Sequence, residues 1–284
     1  MTRGRRSAAG CNRLHPLLSP FTQSVCMLPS AHLSSPGLIM PPINTLPINT
    51  LPIKTLVSWS SGKDSALTLL RLQADPRYRV IGLYTTHVAD AVPFQHTPLE
   101  VVRAQAELLG LPLVTIALPE IFPPNPVYQQ RVVDGLRQSG LPVEAVAFGD
   151  MFCNGIADYR RSYIEPAGWQ ALFPLLGEAP TRLAAEILER GIQTRLITID
   201  TSQLDGQFCG HWYDRELLAR LPAACDPCGE NGEFHTLVTR MPGFRHPLAL
   251  DWQQVDRSGR FHFLRYQLSN QASLKIRDEN KNSI

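Results

Sequence analysis

The chain has 284 residues, 44% hydrophobic and 18% charged, and a formal charge of +2 from 27 basic and 25 acidic side chains. That is enough apolar material for one large domain or two modest ones, and the charge balance excludes both a strongly basic nucleic-acid binder and an acidic disordered chain. No apolar run approaches the roughly 18 residues of a membrane span, and six cysteines are too few and too scattered for a disulfide scaffold, so a cytoplasmic protein with reduced thiols is expected.

Residues 1–54 differ from the rest. They hold five basic residues (Arg3, Arg5, Arg6, Arg13, Lys54), eight prolines and no acidic residue; the first is Asp64. Without them the body carries 22 basic against 25 acidic residues, a net −3. The unit INTLP, INTLP, IKTL repeats between Ile43 and Leu56, and proline at that spacing interrupts helix and sheet hydrogen bonding alike. The segment is expected to be disordered or extended. A targeting peptide is one account of it. A start codon assigned too early, with Met27 or Met40 as the true first residue, is the favoured one. His, Pro and Ser interrupt every stretch that would serve as a secretory core.

The body alternates strands and helices. Thr55–Trp59 reads as a buried strand, Ser65–Gln73 as a helix and Val80–Thr86 as a second strand. At Thr97-Pro98-Leu99-Glu100 a helix start is expected, with Thr97 as N-cap, running to Leu109 and ending at Gly110. Leu113–Leu118 follows as a strand, Val127–Gln138 as a helix, and Val143–Phe148 as a strand ending at Gly149-Asp150. Thr181 is expected to cap the helix RLAAEILER, and Thr194–Asp200 to be the fifth strand of the series. Repeated β-α-β with strands apolar on both faces predicts an α/β fold built on a doubly wound parallel sheet. Ligands on such sheets sit at the carboxyl ends of strands. After Asp200 the pattern changes: Tyr213–Arg220 reads as helix, Phe234–Thr239 and Arg260–Leu268 as strands. The expected division is an extension at 1–54, a nucleotide-type domain at 55–168, a smaller α+β domain at 169–268 and a frayed tail at 269–284.

Two segments carry chemistry. Ser60-Ser61-Gly62-Lys63-Asp64-Ser65 lies between the first strand and its helix. A helix N-terminus offers unpaired N–H groups to an anion, Gly62 permits close backbone approach, and Lys63 adds a positive charge. Asp64 would repel a bare phosphate, which suggests a bridging Mg²⁺. The spacing is not that of a Walker A loop. The second segment, Asp226-Pro227-Cys228-Gly229-Glu230-Asn231-Gly232-Glu233-Phe234-His235-Thr236, packs carboxylates, an amide, an imidazole and a hydroxyl between bending glycines. Strand alternation would put Glu233 and His235 on one face. Taken alone it reads equally well as a polar hairpin.

The loop resembles the SGGxDS loop of the N-type ATP pyrophosphatases, with Ser61 where Gly is commoner. Together with DPCGENGEFHT, and with HTPLEVVRAQAELLGLPL, AVAFGDMF, YRRSYIE and ALFPLLG in order, the chain resembles the diphthine–ammonia ligase family over roughly Leu56 to Val238. The resemblance implies a HUP-type, Rossmann-like sheet that binds ATP and Mg²⁺, followed by a smaller domain with the second motif. It implies adenylation of a carboxylate, with release of AMP and pyrophosphate and with ammonia as nucleophile. Ser60, Ser61, Gly62, Lys63, Asp64 and Ser65 would hold ATP, with Asp64 toward Mg²⁺; Thr85 and Asp150 end strands where nucleotide contacts are expected. Lys63, Asp64, Glu230, Glu233 and His235 would be catalytic, and Asn231, Glu233, His235 and Thr236 would face the acceptor.

The family's diphthamide-making members read closer to EGGEYET in the second motif; here Asn231 replaces Gly and His235 replaces Glu. That variant resembles a bacterial subgroup linked to cobalamin salvage or other small-molecule amidation. An amide-forming ligase on a small molecule or an adenine-nucleotide hydrolase is therefore an alternative, and a non-catalytic nucleotide sensor another. The expected partners are ammonia and a small-molecule or protein-bound carboxylate, with neither nucleic acid nor membrane; homo-oligomerisation is left open. Arg160 and Arg161 read as a solvated pair on a mixed helix, although phosphate contact is an alternative. Cys209, His211, Cys225 and Cys228 have spacings that zinc can use, a weak signal on its own.

Overall fold

The computed structural model describes residues 51–93, 95–152 and 155–269. The expected extension falls outside them up to residue 50, as does the tail from residue 270. Ile53 and Lys54, expected in the extension, belong instead to the first strand, β1 (Ile53–Ser58), where they face Tyr78 and Arg79. Pro52 is the last proline of the repeat, so nothing beyond it obstructs pairing.

β1 is followed by α1 (Lys63–Ala74), β2 (Tyr78–His87), the short pair β3 (Ala91–Val92) and β4 (Thr97–Pro98), α2 (Leu99–Leu109), β5 (Leu113–Ala117), α3 (Asn125–Gln138), β6 (Ala145–Ala147), α4 (Ile156–Ile164) and β7 (Gln170–Leu172). β5, β2, β1, β6 and β7 form, in that order, a sheet whose strands all run parallel. Alternate residues serve opposite faces. Val57, Leu83 and Ala147 pack with α1 and α2, while Leu56, Tyr84 and Val146 pack with α3 and α4. The strands are covered on both sides, hence their continuous apolar runs.

The remaining elements are α5 (Pro180–Glu189), β8 (Gln193–Asp200), a single 3₁₀ turn (Gly206–Phe208), α6 (Arg215–Arg220), β9 (Phe234–Arg240), β10 (Leu250–Asp256) and β11 (Phe261–Leu268). β10, β11, β8 and β9 form an antiparallel sheet. Its inner residues Leu196, Ile197, Leu237 and Val238 share one apolar core with α1 and α2. The antiparallel sheet thus packs on α1 and α2, the helices that cover one face of the parallel sheet.

Several expectations change here. Thr194–Asp200 is a strand, but it lies in the antiparallel sheet; the fifth parallel strand is β7. An apolar run specifies a buried strand, not its direction or partner. β7 lies past the 168/169 boundary expected between domains, so the parallel sheet extends further along the chain than that division allows. Thr97 does not cap α2. It is buried in β4, and its hydroxyl accepts a hydrogen bond from Tyr266 at 3.2 Å. Thr181 lies inside α5, whose cap position is Ala179. β10 carries no clear strand signal in the sequence, because Asp251, Gln253 and Gln254 break its apolar pattern on an exposed edge.

Candidate functional site

The order of strands reverses between β1 and β6, which leaves a crevice at their carboxyl ends. A cavity of about 270 Å³ lies there. The loop after β1, the loop after β6 and the 228–236 segment all border it. The two sequence motifs, more than 160 residues apart, therefore meet.

Two hydrogen bonds join the two regions directly, and Gln105 bridges them. Val238 N donates to Ser61 O at 2.9 Å, and Lys63 N to Thr236 Oγ1 at 3.2 Å. Gln105 of α2 receives the Trp59 indole N–H at 2.9 Å and gives its amide N–H to Val238 O at 2.7 Å. These are buried groups, and each bond satisfies a donor or acceptor that is costly to leave alone.

The loop turns sharply at Ser61, whose φ of 72° lies in the left-handed region. A glycine at this position, as in the commoner form of the loop, would adopt it without strain. Ser61 is fully buried, its hydroxyl has no partner among the described residues, and it does not border the cavity. The Ser61 side chain, expected at the nucleotide, thus lies outside the cavity. Ser60, Gly62, Lys63, Asp64 and Ser65 do border the cavity. α1 begins at Lys63, so its first N–H groups lack partners within the helix. Gly149 abuts this turn: a Cβ there would lie 3.1–3.2 Å from the backbone of Asp64 and Ser65. Only glycine leaves that helix start uncovered.

Lys63 is buried. Its Nζ pairs with Asp64 Oδ2 at 2.9 Å and stands 5.5 Å from the Phe234 ring and 6.0 Å from that of Tyr213. Burial, the largest influence, works to lower its pKa, but the Asp64 charge and hydrogen bond, together with Cys228 and Glu230, hold the ammonium above its ordinary value. Burial raises the Asp64 carboxyl, against the pull of Lys63. The other Asp64 oxygen, Oδ1, is buried without a hydrogen-bond partner among the described residues and can accept a hydrogen bond from a ligand or coordinate a cation.

Glu230 borders the same cavity. Burial, then the nearby Asp64 charge, pushes its pKa up to about 8, although Lys63 opposes the shift. His235, on β9, is lowered to about 4 by burial and by Lys63. At neutral pH the site therefore holds a neutral imidazole and a Glu230 that favours its protonated form, beside the Lys63–Asp64 contact.

Glu233 does something different from what alternation suggested. It precedes β9, and its carboxylate accepts from Asp226 N at 2.9 Å and from Asn231 N and Nδ2, each at 3.0 Å. It is buried inside its own loop and does not border the cavity; neither does Asn231. Both shape the turn that presents Glu230. Gly229 in that turn is obligatory: its φ is 72°, and a Cβ added there would lie only 2.8 Å from Phe234 O. Thr236 borders the cavity with its hydroxyl engaged by Lys63 N. Thr85 is buried in β2, away from the cavity, whereas Asp150 borders it.

Arg160 corrects the solvated reading. It borders the cavity, bonded to Asp150 Oδ2 at 3.2 Å, while Arg161 lies beside Asp158 and Glu165 at the surface. The position of α4 directly after the β6 loop was the signal available in the sequence. Gln95 and Phe148, which also border the cavity, carried none. The cysteines and His211 form no zinc site: among the described residues no three His, Cys, Asp or Glu side chains converge as metal ligands. Mg²⁺ makes a smaller demand, since it keeps several waters and takes one or two carboxylates. The orphaned Asp64 Oδ1, with Asp150 and Glu230 on the same cavity, fits that demand. No helix among the described residues is long and apolar enough to cross a membrane.

No curated protein matches the chain. Among solved structures, one described as a "predicted subunit of tRNA methyltransferase" from Methanocaldococcus jannaschii is 20% identical, with a TM-score of 0.34 over 50% of this chain and 77% of that one. The U34-tRNA thiolase NcsA from Methanococcus maripaludis, solved with its [4Fe-4S] cluster, is 18% identical, with a TM-score of 0.33 over 49% of this chain and 58% of that one. Similarity at this level carries nothing over to the present site. The family model of the diphthamide synthase C-terminal domain matches residues 179–268, which span β8–β11 and the whole second motif.

Proposed function

We propose that the protein is an ATP-dependent amide-forming ligase that adenylates a carboxylate, releases AMP and pyrophosphate, and uses ammonia as nucleophile. The observation that carries this reading is the shared cavity. The loop that begins α1 is bonded to β9, so Lys63 and Asp64 face the same space as Glu230 and His235. A helix start suited to anions and a proton-exchanging group are thereby brought together, as phosphate activation of a carboxylate followed by attack of ammonia on the acyl carbon requires.

The residues divide the work. The open start of α1 and Ser60 and Ser65 would hold phosphate oxygens. Asp64, with Asp150, would hold Mg²⁺, which supplies charge neutralisation for the phosphates when bound. Lys63 is a cation fixed by Asp64 and two aromatic rings, so it needs no reorganisation to stabilise developing negative charge. Glu230, near 8, is matched to exchange a proton around neutrality. His235, near 4, stays neutral and is suited to accept a hydrogen bond from an amine. The acceptor is a carboxylate. It is either a small molecule or protein-bound. Nucleic acid is not a substrate in this reading, given a body at net −3.

The test is product analysis with ATP, Mg²⁺ and ammonium, with and without a pool of cellular acceptors. AMP and pyrophosphate that appear only with the pool are expected. ADP and phosphate, or tight ATP binding without turnover under every condition, would defeat the ligase reading.

A further inference from the structure

We infer that Arg160 is the phosphate-binding guanidinium of this site, a second cation beside Lys63, the cation of the loop motif. The inference rests on the reading of the cavity as a nucleotide site. Lys63 is committed on the side of the second motif, paired with Asp64 and set against Phe234 and Tyr213. Arg160 stands at the same cavity from α4.

Its guanidinium is built in. Nε donates to Asp150 Oδ2 at 3.2 Å, and Nη1 donates to the hydroxyl oxygens of Tyr128 and Tyr163, each at 3.2 Å. The group lies 4.9 Å from the centre of the Phe148 ring, which stacks on Phe173 at 5.5 Å. The remaining nitrogen, Nη2, has no hydrogen-bond partner among the described residues. A side chain only 18% exposed, held by three polar partners and a ring, is preorganised with donors to spare. A planar fork of this kind matches phosphoryl oxygens better than an ammonium does. Tyr128 comes from α3, Tyr163 from α4 and Asp150 from the β6 loop, so three elements fix one cation at the crevice. The ligand class is the polyphosphate of a nucleoside triphosphate, or free pyrophosphate.

The experiment is calorimetric binding of pyrophosphate, ATP and adenosine, each with Mg²⁺, to the full chain and its variants. Arg160→Met keeps the stem over Phe148 and removes the fork; Arg160→Lys keeps the charge and serves should the first variant fail to fold. A charge-assisted hydrogen bond contributes about 1.5–3 kcal/mol. Pyrophosphate and ATP should therefore bind about 10–100-fold more weakly to Arg160→Met, with a smaller loss for Arg160→Lys and adenosine binding unchanged. That split is what a merely structural arginine would not produce. Equal weakening of all three ligands, or none, overturns the assignment while the nucleotide reading stands. Failure of the unmodified protein to bind either ATP or pyrophosphate overturns both.

Discussion

Ser61→Gly should stabilise this protein, against the usual direction of glycine substitutions. Ser61 sits at φ 72°, is fully buried and has a hydroxyl without a partner. The left-handed conformation costs a residue with a Cβ about 1–2 kcal/mol. A buried hydroxyl without a hydrogen bond costs about 1–3 kcal/mol. Against these stand the extra backbone entropy of glycine in the unfolded chain, about 0.5–1 kcal/mol, and lost packing of about 1 kcal/mol. The balance is a gain of about 1–2 kcal/mol, or roughly 2–6 °C in melting temperature for a folded body of this size. Ser61→Ala separates the terms, since it removes the hydroxyl and keeps the strained φ; its gain should be smaller. The Ser61 carbonyl, which accepts from Val238 N, is retained in both variants. Thermal unfolding of the three proteins is the assay, with ATP affinity measured beside it. A melting temperature for Ser61→Gly at or below that of the unmodified chain would refute the argument. So would a large change in ATP affinity, because the side chain does not border the cavity.

Removing one partner of the Lys63–Asp64 pair, a buried lysine with a half-buried aspartate, leaves the other charge uncompensated. Lys63→Met and Asp64→Asn should each cost about 3–5 kcal/mol of stability and lower turnover by about 10²–10³-fold, read by denaturant unfolding and AMP release; the double variant should recover part of the stability but none of the activity. Glu233→Ala should behave as a folding lesion of about 2–4 kcal/mol, visible in melting temperature even without substrate, because three N–H groups lose their acceptor; an unchanged melting temperature with lost turnover would restore Glu233 to the chemistry. The folded Glu230 carboxyl, near 8, lies above its unfolded value, so its contribution to stability is complete below about pH 4.5 and declines as pH rises through 8. Glu230→Gln should flatten that decline in urea titrations between pH 5 and 9. His235 is shifted the other way: its contribution is present above about pH 6.5 and is lost as pH falls through 4, and His235→Gln should remove that acid limb.

Much of this molecule is local and therefore legible in one dimension. The alternation of apolar strands with helices, the glycine and serine punctuation after β1, and the cluster of polar residues around Gly229 and Gly232 follow from short-range periodicity and turn chemistry. A parallel sheet with ligands at its strand ends follows in turn from the doubly covered strands. Tertiary structure decided what depends on distant partners. Val143–Phe148 and Thr194–Asp200 look alike as apolar runs, yet the core of one strand, β6, lies in the parallel sheet and β8 in the antiparallel one, according to which neighbours cover them. Glu233 and Glu230 are equivalent carboxylates on paper. The N–H groups of Asp226 and Asn231 claim the first, and burial beside Asp64 raises the second. Arg160 and Arg161 are adjacent and identical; the helical rotation between them carries one to the crevice beside Tyr128 and Tyr163 and leaves the other at the surface. Residue type sets what a side chain can do, and packing against elements far along the chain sets whether it is dry, paired and pointed at the cavity where that chemistry counts.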